Sequence, residues 1–213
     1  MEYKILEDNE TVHGIFCFVD IEGHTQWAYN SGDEKLKKLL EILYGNGFKY
    51  FGKDKYKTVN NTKYKRRVVK FLGDGFFTVR EYNNNDKANF DNNFDKMMAS
   101  ISEFYDRTAA DIKNNIHKDL GLKFGIAFGE SKRFKVNKRL DYIGNVINFA
   151  SRLCGISGAA EISILINNDD ILSKKVKTYT GPICKENIEG VGDREVKKIK
   201  LPFELVNVNS KYL

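Results

Sequence analysis

The stretch Val68-Val-Lys-Phe-Leu-Gly-Asp-Gly-Phe-Phe-Thr-Val79 constrains the fold of this chain more than any other. One β-branched, apolar run arrives at Gly73-Asp74-Gly75 and a second leaves it. Asp-Gly between two such runs predicts a tight hairpin, because primed turns need positive φ and glycine supplies it. The turn carries a carboxylate, Asp74. By the two-residue alternation of a strand, Lys70 shares a face with Leu72 and Asp74. A charge at the tip of a buried hairpin is costly without a partner, so a bound cation is the expectation.

The rest of the chain supplies the frame around that hairpin. Gly14 to Ile21 (GIFCFVDI) is a continuous apolar run that reaches an acid, and it predicts a buried strand. Glu22-Gly23-His24-Thr25 predicts a turn. Thr25 or Ser31 is the expected cap of a helix carrying Leu36, Leu39, Leu40 and Leu43, stopped by Gly45 and Gly47. After the hairpin, Asn83 to Asn93 reads as a polar loop, and Phe94 to Ile116 as an amphipathic helix. Leu122 to Phe128 predicts a strand ended by Gly129, and Glu130 to Arg139 a basic, turn-like segment. Gly144 to Leu153 predicts a short helix, Glu161 to Ile166 a strand and Asp169 to Lys175 another short helix. Thr178 to Ile188 and Phe203 to Val208 are the closing strands, with Gly190 and Gly192 between them. The order β-α-β-β-α-β predicts an α+β fold on a ferredoxin-like sheet, with helices on one face and additional C-terminal strands. Residues 1–213 form a single domain in this reading, since no linker or repeat divides them.

Charge and cysteine content limit the function classes. The net charge of +6 is concentrated in the basic run Lys49 to Arg67, which reads as a solvated loop or exposed hairpin rather than a nucleic-acid surface. Cys17, Cys154 and Cys184 form no CxxC pattern and read as reduced thiols. No secretory leader or membrane-length apolar run is present, so a soluble, cytoplasmic protein with no membrane partner is the expectation.

Two strand-end carboxylates carry the chemistry. Asp20 ends the first strand, which is central in a ferredoxin-like sheet and borders the hairpin, so it can converge with Asp74. Two hard oxygen donors without His or Cys beside them suit Mg²⁺ or Mn²⁺ rather than zinc. The backbone amides of Gly23, His24 and Thr25 open a helix and favour a triphosphate. The opposing reading, two turn acids capping backbone amides, is the better one for either acid alone. In Asp141-Tyr-Ile-Gly-Asn-Val-Ile-Asn-Phe-Ala-Ser-Arg152, Asn148 and Arg152 are four apart and share a helix face. An arginine there can meet an anionic transition state with two donors.

The motifs FVDIEGHT (18–25), VKFLGDG (69–75) and DYIGNVINFASR (141–152) together resemble the class III nucleotidyl cyclase catalytic domain, over about residues 12–210. The resemblance implies a homodimer with composite sites. Asp20 and Asp74, with the Ile21 carbonyl, match the ligands of two metal ions. Lys70 and Asp141 match the pair that contacts the base, Asn148 the residue that orients the ribose, and Arg152 the one that stabilises charge on the α-phosphate. The metal ligands come from one protomer and the base-reading and transition-state residues from the other, so that Lys70 and Asp74 serve different sites; residues 129–140 form a dimer-arm-like segment. The implied reaction is in-line attack of the ribose 3′-oxygen on the α-phosphorus with release of pyrophosphate, assisted by two Mg²⁺ or Mn²⁺. Two departures stand out. His24 replaces the usual Phe or Ser, and Val191 stands near the place of a triphosphate-binding lysine, for which Arg194 or a basic residue of 132–139 is a substitute.

Lys70 donates and Asp141 accepts, which admits adenine, cytosine and uracil and fits guanine worst. With no fused sensor, the chain resembles the stand-alone pyrimidine cyclases of bacterial anti-phage Pycsar systems, so UTP or CTP is the expected substrate and a cyclic-nucleotide-sensing effector the expected downstream partner. Aromatic residues of the Tyr50 to Tyr64 region, or near Phe71, are the expected walls of a one-ring pocket. The alternatives are an adenylate cyclase, a nucleotide-binding domain without turnover, and an RNA-binding ferredoxin-like domain.

Overall fold

The computed structural model describes residues 7–52, 58–59, 62–63, 66–136, 139–166 and 171–203. The chain opens with β1 (Glu7–Glu22), α1 (His24–Tyr29) and α2 (Asp33–Gly47), followed by a π-helical turn at Phe48–Gly52. A small hairpin, β2 (Thr58–Val59) and β3 (Thr62–Lys63), lies within the basic run. Next come β4 (Arg66–Phe71), β5 (Gly75–Tyr82), α3 (Lys87–Asn115), β6 (Gly121–Val136) and β7 (Arg139–Ile143). The chain closes with α4 (Asn145–Ile156), β8 (Glu161–Ile166), α5 (Ile171–Lys177), β9 (Ile183–Ile188) and β10 (Gly192–Lys200).

The main sheet runs β4-β5-β1-β6-β8-β10-β9, with β7 paired to β6. Its first four strands are the expected ferredoxin-like core: β1 is central and antiparallel to both β5 and β6. Successive residues of β1 serve opposite faces. Ile15, Cys17, Val19 and Ile21 join the larger core, with Leu39, Leu43, Phe76, Phe94, Met97 and Phe104. Phe16 joins a second cluster with Phe77, Val146, Ala150 and Leu153. At about 1.5–3 kcal/mol per buried large apolar side chain, these two clusters supply the main driving force for folding.

The second cluster corrects the expectation of helices on one face only. The helix α4 lies on the opposite face from α2 and α3, because Gly125 of β6 leaves room for it: a Cβ there would stand 2.1 Å from Cys154 N and 2.2 Å from Ala150 O.

Several boundaries also differ from expectation. The predicted loop at Asn83 to Asn93 is largely the first turns of α3, because Asp86 accepts a capping hydrogen bond from Asn89 N at 3.0 Å and Phe90 is fully buried. Gly129 does not end β6, which continues into a ribbon with β7 where a turn was expected. The helices α1 and α2 are capped by Gly23 and Gly32, not by Thr25 or Ser31, and Gly45 lies inside α2. The last strand described is β10. Phe203 is not in a strand, and 204–208 lie outside the described residues. No expected element covered β10, where Lys198 and Lys200 pair with Glu161, and Lys198 also with Glu186. The three cysteines are free. Among the described residues no helix is long and apolar enough to cross a membrane.

Candidate active site

Strand register assembles the site. Directly paired residues point to one face of a sheet, so the pairs Lys70↔Phe77 and Phe18↔Phe77 place Lys70, Phe77 and Phe18 in a row. The Phe18 and Phe77 rings stack at 5.2 Å. Two residues along, Asp20 lies opposite Gly75 on one side and Lys123 on the other. This register sets Asp20 beside the Asp74 turn. Gly75 permits it, since a Cβ there would be 2.4 Å from Val19 O.

Burial raises the Asp20 carboxyl above its ordinary value; the hydrogen bond from Lys123 works against this, and the negative charge of Asp74 adds to it. Lys123 Nζ stands 3.1 Å from Asp20 Oδ2 and 3.2 Å from Glu22 Oε2. Two neighbouring carboxylates, one of them half-buried, thus draw a cation between the strand ends, and here the protein supplies an ammonium. That donor set fits a hard divalent ion. Among the described residues no three His, Cys, Asp or Glu side chains form a group that could hold a metal ion by themselves. Lys123 escaped the sequence reading. Its signal was a lone charge in the otherwise apolar strand Leu122-Lys-Phe-Gly-Ile-Ala-Phe128.

The other predicted positions fall as follows. Ile21 buries its side chain in the larger core, which leaves only its backbone for a ligand. Gly23, with φ 79°, precedes the six-residue α1, whose first turn holds His24 and Thr25. Thr25 is exposed, while His24 Nδ1 stands 2.9 Å from Asp74 Oδ2. The Lys70 Nζ and Asp141 Oδ2 atoms are 2.8 Å apart, so the expected base-reading pair meets within one chain. Asp141 Oδ1 accepts from Tyr142 N at 2.9 Å, and Tyr142 OH donates to Glu81 at 2.7 Å, which ties the carboxylate to β5.

Asn148 and Arg152 are both on the exposed side of α4. They are not gathered with Asp20 and Asp74: Arg152 Nη1 faces Glu189 Oε2 at 3.5 Å, over the β9–β10 turn. Val191 in that turn packs on the second core cluster, and Arg194 donates to the Asp193 carbonyl. Phe71 lies on the helix face, 4.0 Å from the Tyr44 ring and 4.9 Å from Phe48. It is therefore turned away from Lys70, and the aromatic floor beside Lys70 is Phe18 and Phe77 instead. Of the Tyr50 to Tyr64 region, Tyr50 packs on the larger core, and most of the remainder lies outside the described residues.

These features define a nucleotide cyclase of class III. The chain belongs to the family of the adenylate and guanylate cyclase catalytic domain, which it matches over residues 8–199. Enzymes of this class form a cyclic nucleotide from a nucleoside triphosphate and generally depend on divalent cations. Solved structures place the same fold beside it. The catalytic core of a rhodopsin-guanylyl cyclase with converted specificity, in complex with ATPαS, aligns at 15% identity and a TM-score of 0.65, covering 91% of this chain and 98% of that one. The adenylyl cyclase CyaB from P. aeruginosa aligns at 19% identity and 0.59, covering 91% and 97%. The guanylate cyclase domain of RhGC from Catenaria anguillulae, in complex with GTP, aligns at 14% identity and 0.61, covering 90% and 98%. No curated protein sequence matches the chain.

Proposed function

We propose that this chain converts a pyrimidine nucleoside triphosphate, UTP or CTP, to its 3′,5′-cyclic monophosphate and pyrophosphate, at sites completed by a second copy of the chain. The observation that carries the reading is that Asp20 lies opposite Gly75, beside the Asp74 turn, at one end of the sheet. Asp20, Asp74 and the Ile21 carbonyl would hold Mg²⁺ or Mn²⁺. Bound there, divalent cations supply Lewis-acid stabilisation of the triphosphate and of the attacking 3′-oxygen. Lys123, beside Asp20 and Glu22, would offer the phosphates an ammonium, and the amides of Gly23 to Thr25 would add donors.

Lys70 and Asp141 offer the base one donor and one acceptor, already set 2.8 Å apart. Cytosine N3 with its amino group, or uracil O4 with N3–H, meets that pair. Asn148 orients the ribose, and Arg152 neutralises charge developing at the α-phosphate. Because those two side chains face outward from α4, they serve the carboxylates of a partner rather than their own. The resemblance of the segment DYIGNVINFASRL (141–153) to pyrimidine cyclases of anti-phage systems supports the choice of base and a role in anti-phage defence, with a cyclic-nucleotide effector downstream in the cytoplasm. ATP is the second reading, since adenine N1 and its amino group present the same edge to Lys70 and Asp141.

The test is incubation with each of the four ribonucleoside triphosphates and Mn²⁺, with the cyclic product identified by mass. Cyclic UMP or cyclic CMP is expected to dominate. A dominant cyclic AMP or cyclic GMP rejects the pyrimidine assignment, and no cyclic product from any of the four rejects the site.

A further inference from the structure

We propose that His24 is a positioning residue for the divalent cation, holding the Asp74 carboxylate in its ligating orientation through a hydrogen bond from Nδ1. This rests on the reading that Asp20 and Asp74 hold that cation.

The Asp74 turn is loosely built. Gly73 has φ 75°, and glycine on both sides of the aspartate gives the backbone wide freedom. Two contacts from outside the hairpin restrain it. Tyr44 OH donates to the Gly73 carbonyl at 2.5 Å, which fixes the backbone. His24 Nδ1 lies 2.9 Å from Asp74 Oδ2, which fixes the side chain. A carboxylate oxygen only accepts, so the ring nitrogen facing it carries the hydrogen. That engages Oδ2 and leaves Oδ1 to the cation.

The imidazole is itself held. Its side chain is 17% exposed, it is seated in the first turn of α1, and the Trp27 ring lies 6.2 Å away. Its Nε2 is buried with no hydrogen-bond partner among the described residues. Leaving a ring nitrogen unsatisfied costs free energy, so the ring orientation is set by the Asp74 contact and the surrounding packing, not by satisfaction of both nitrogens. Phe or Ser at this position, the usual residues of the resembling family, cannot place an N–H at the same point. Hydrogen bonds that orient ligating carboxylates typically change metal affinity by about 10–100-fold when removed.

Direct Mn²⁺ binding, with Mn²⁺ alone and read by electron paramagnetic resonance, tests this without reference to turnover. Thermal unfolding runs in parallel. His24→Phe removes the donor. His24→Gln moves the polar group to the Nε2 position and also removes it, without adding apolar bulk, so it remains informative where His24→Phe folds poorly. His24→Asn restores an N–H at the Nδ1 position. Both His24→Phe and His24→Gln are expected to weaken Mn²⁺ binding by about 10–100-fold, with His24→Asn within about threefold of wild type. Unchanged affinity in His24→Phe and His24→Gln overturns the proposal, as does a His24→Asn protein as weak as His24→Phe. Asp74→Ala separates the two levels. Wild-type Mn²⁺ binding that survives Asp74→Ala refutes the metal reading itself, and the role of His24 falls with it.

Discussion

Replacing Gly125 by alanine should push a whole helix off the sheet, and the size of the push follows from two distances. The added Cβ would stand 2.1 Å from Cys154 N and 2.2 Å from Ala150 O, both backbone atoms of α4. No rotamer change can relieve a clash with backbone. Comfortable heavy-atom contact begins near roughly 3.5 Å, so α4 must retreat by about 1.4 Å. Overpacking of this kind costs about 1–3 kcal/mol. The same helix carries Asn148 and Arg152, and a displacement of about 1 Å at reacting groups costs on the order of 100-fold in rate. Gly155 provides the control. It lies in α4, is exposed, and has nothing within 4 Å of a built Cβ. Gly155→Ala should therefore stabilise the protein by about 0.5–1 kcal/mol through the lower chain entropy of alanine, with turnover near wild type. Urea denaturation gives the stabilities, and cyclic-nucleotide formation gives the rates. A Gly125→Ala protein with wild-type midpoint and wild-type turnover would refute the argument that this close approach sets the position of α4.

Three further outcomes follow from the same geometry. Coexpressed Asp20→Ala and Arg152→Ala chains, each inactive alone, should recover roughly a quarter of wild-type turnover, since half of random dimers are mixed and each has one intact site of two; no recovery would mean that both sets of residues act within one protomer. Lys123→Met should lower metal-free stability by about 1 kcal/mol, less than usual for a charged hydrogen bond because the Asp20 side chain is 36% exposed. Mn²⁺ should restore part of that loss, and an unchanged denaturation midpoint would contradict the pairing. Glu161 is pushed up by burial, but Lys200, the Gly158 N–H and Lys198 more than offset this and hold its carboxyl below the ordinary value. A depressed carboxyl contributes stability that is present above its unfolded value and lost as pH falls through its folded one. Glu161→Gln should accordingly lose less stability than wild type between about pH 5 and pH 3 in denaturation series, and an identical acid dependence would show that the lysines do not act through it.

The parts of the fold legible in the chain were those with a clean local signal. Val68 to Val79 and Gly14 to Ile21 announce strands through β-branched and apolar runs, and Leu36 to Leu43 announces a helix. Local chemistry misled where a tertiary partner outweighed composition. Asn83 to Asn93 has the residues of a loop, but Asp86 caps a helix whose Phe90 is drawn into the core. The strand β10 fell between the two expected closing strands, and its lysines find Glu161 and Glu186 only in the folded sheet. Asp20 and Asp74 could be paired from topology alone. The contacts of His24 with Asp74 and of Lys123 with Asp20 could not, because they depend on the exact register of the strands and the side-chain orientations, which topology leaves open.

By itself, then, the order of residues determined which elements exist and which side chains have chemistry to offer: two hard carboxylates, a donor–acceptor pair, an amide and a guanidinium on one helix face. The tertiary structure alone decided which of them meet. Register across β5, β1 and β6 sets Asp20 between Gly75 and Lys123, and the missing side chain at Gly125 seats α4 on the second face with Arg152 pointing outward. Periodicity is a local property of a chain, whereas register and close approach depend on how distant segments share space.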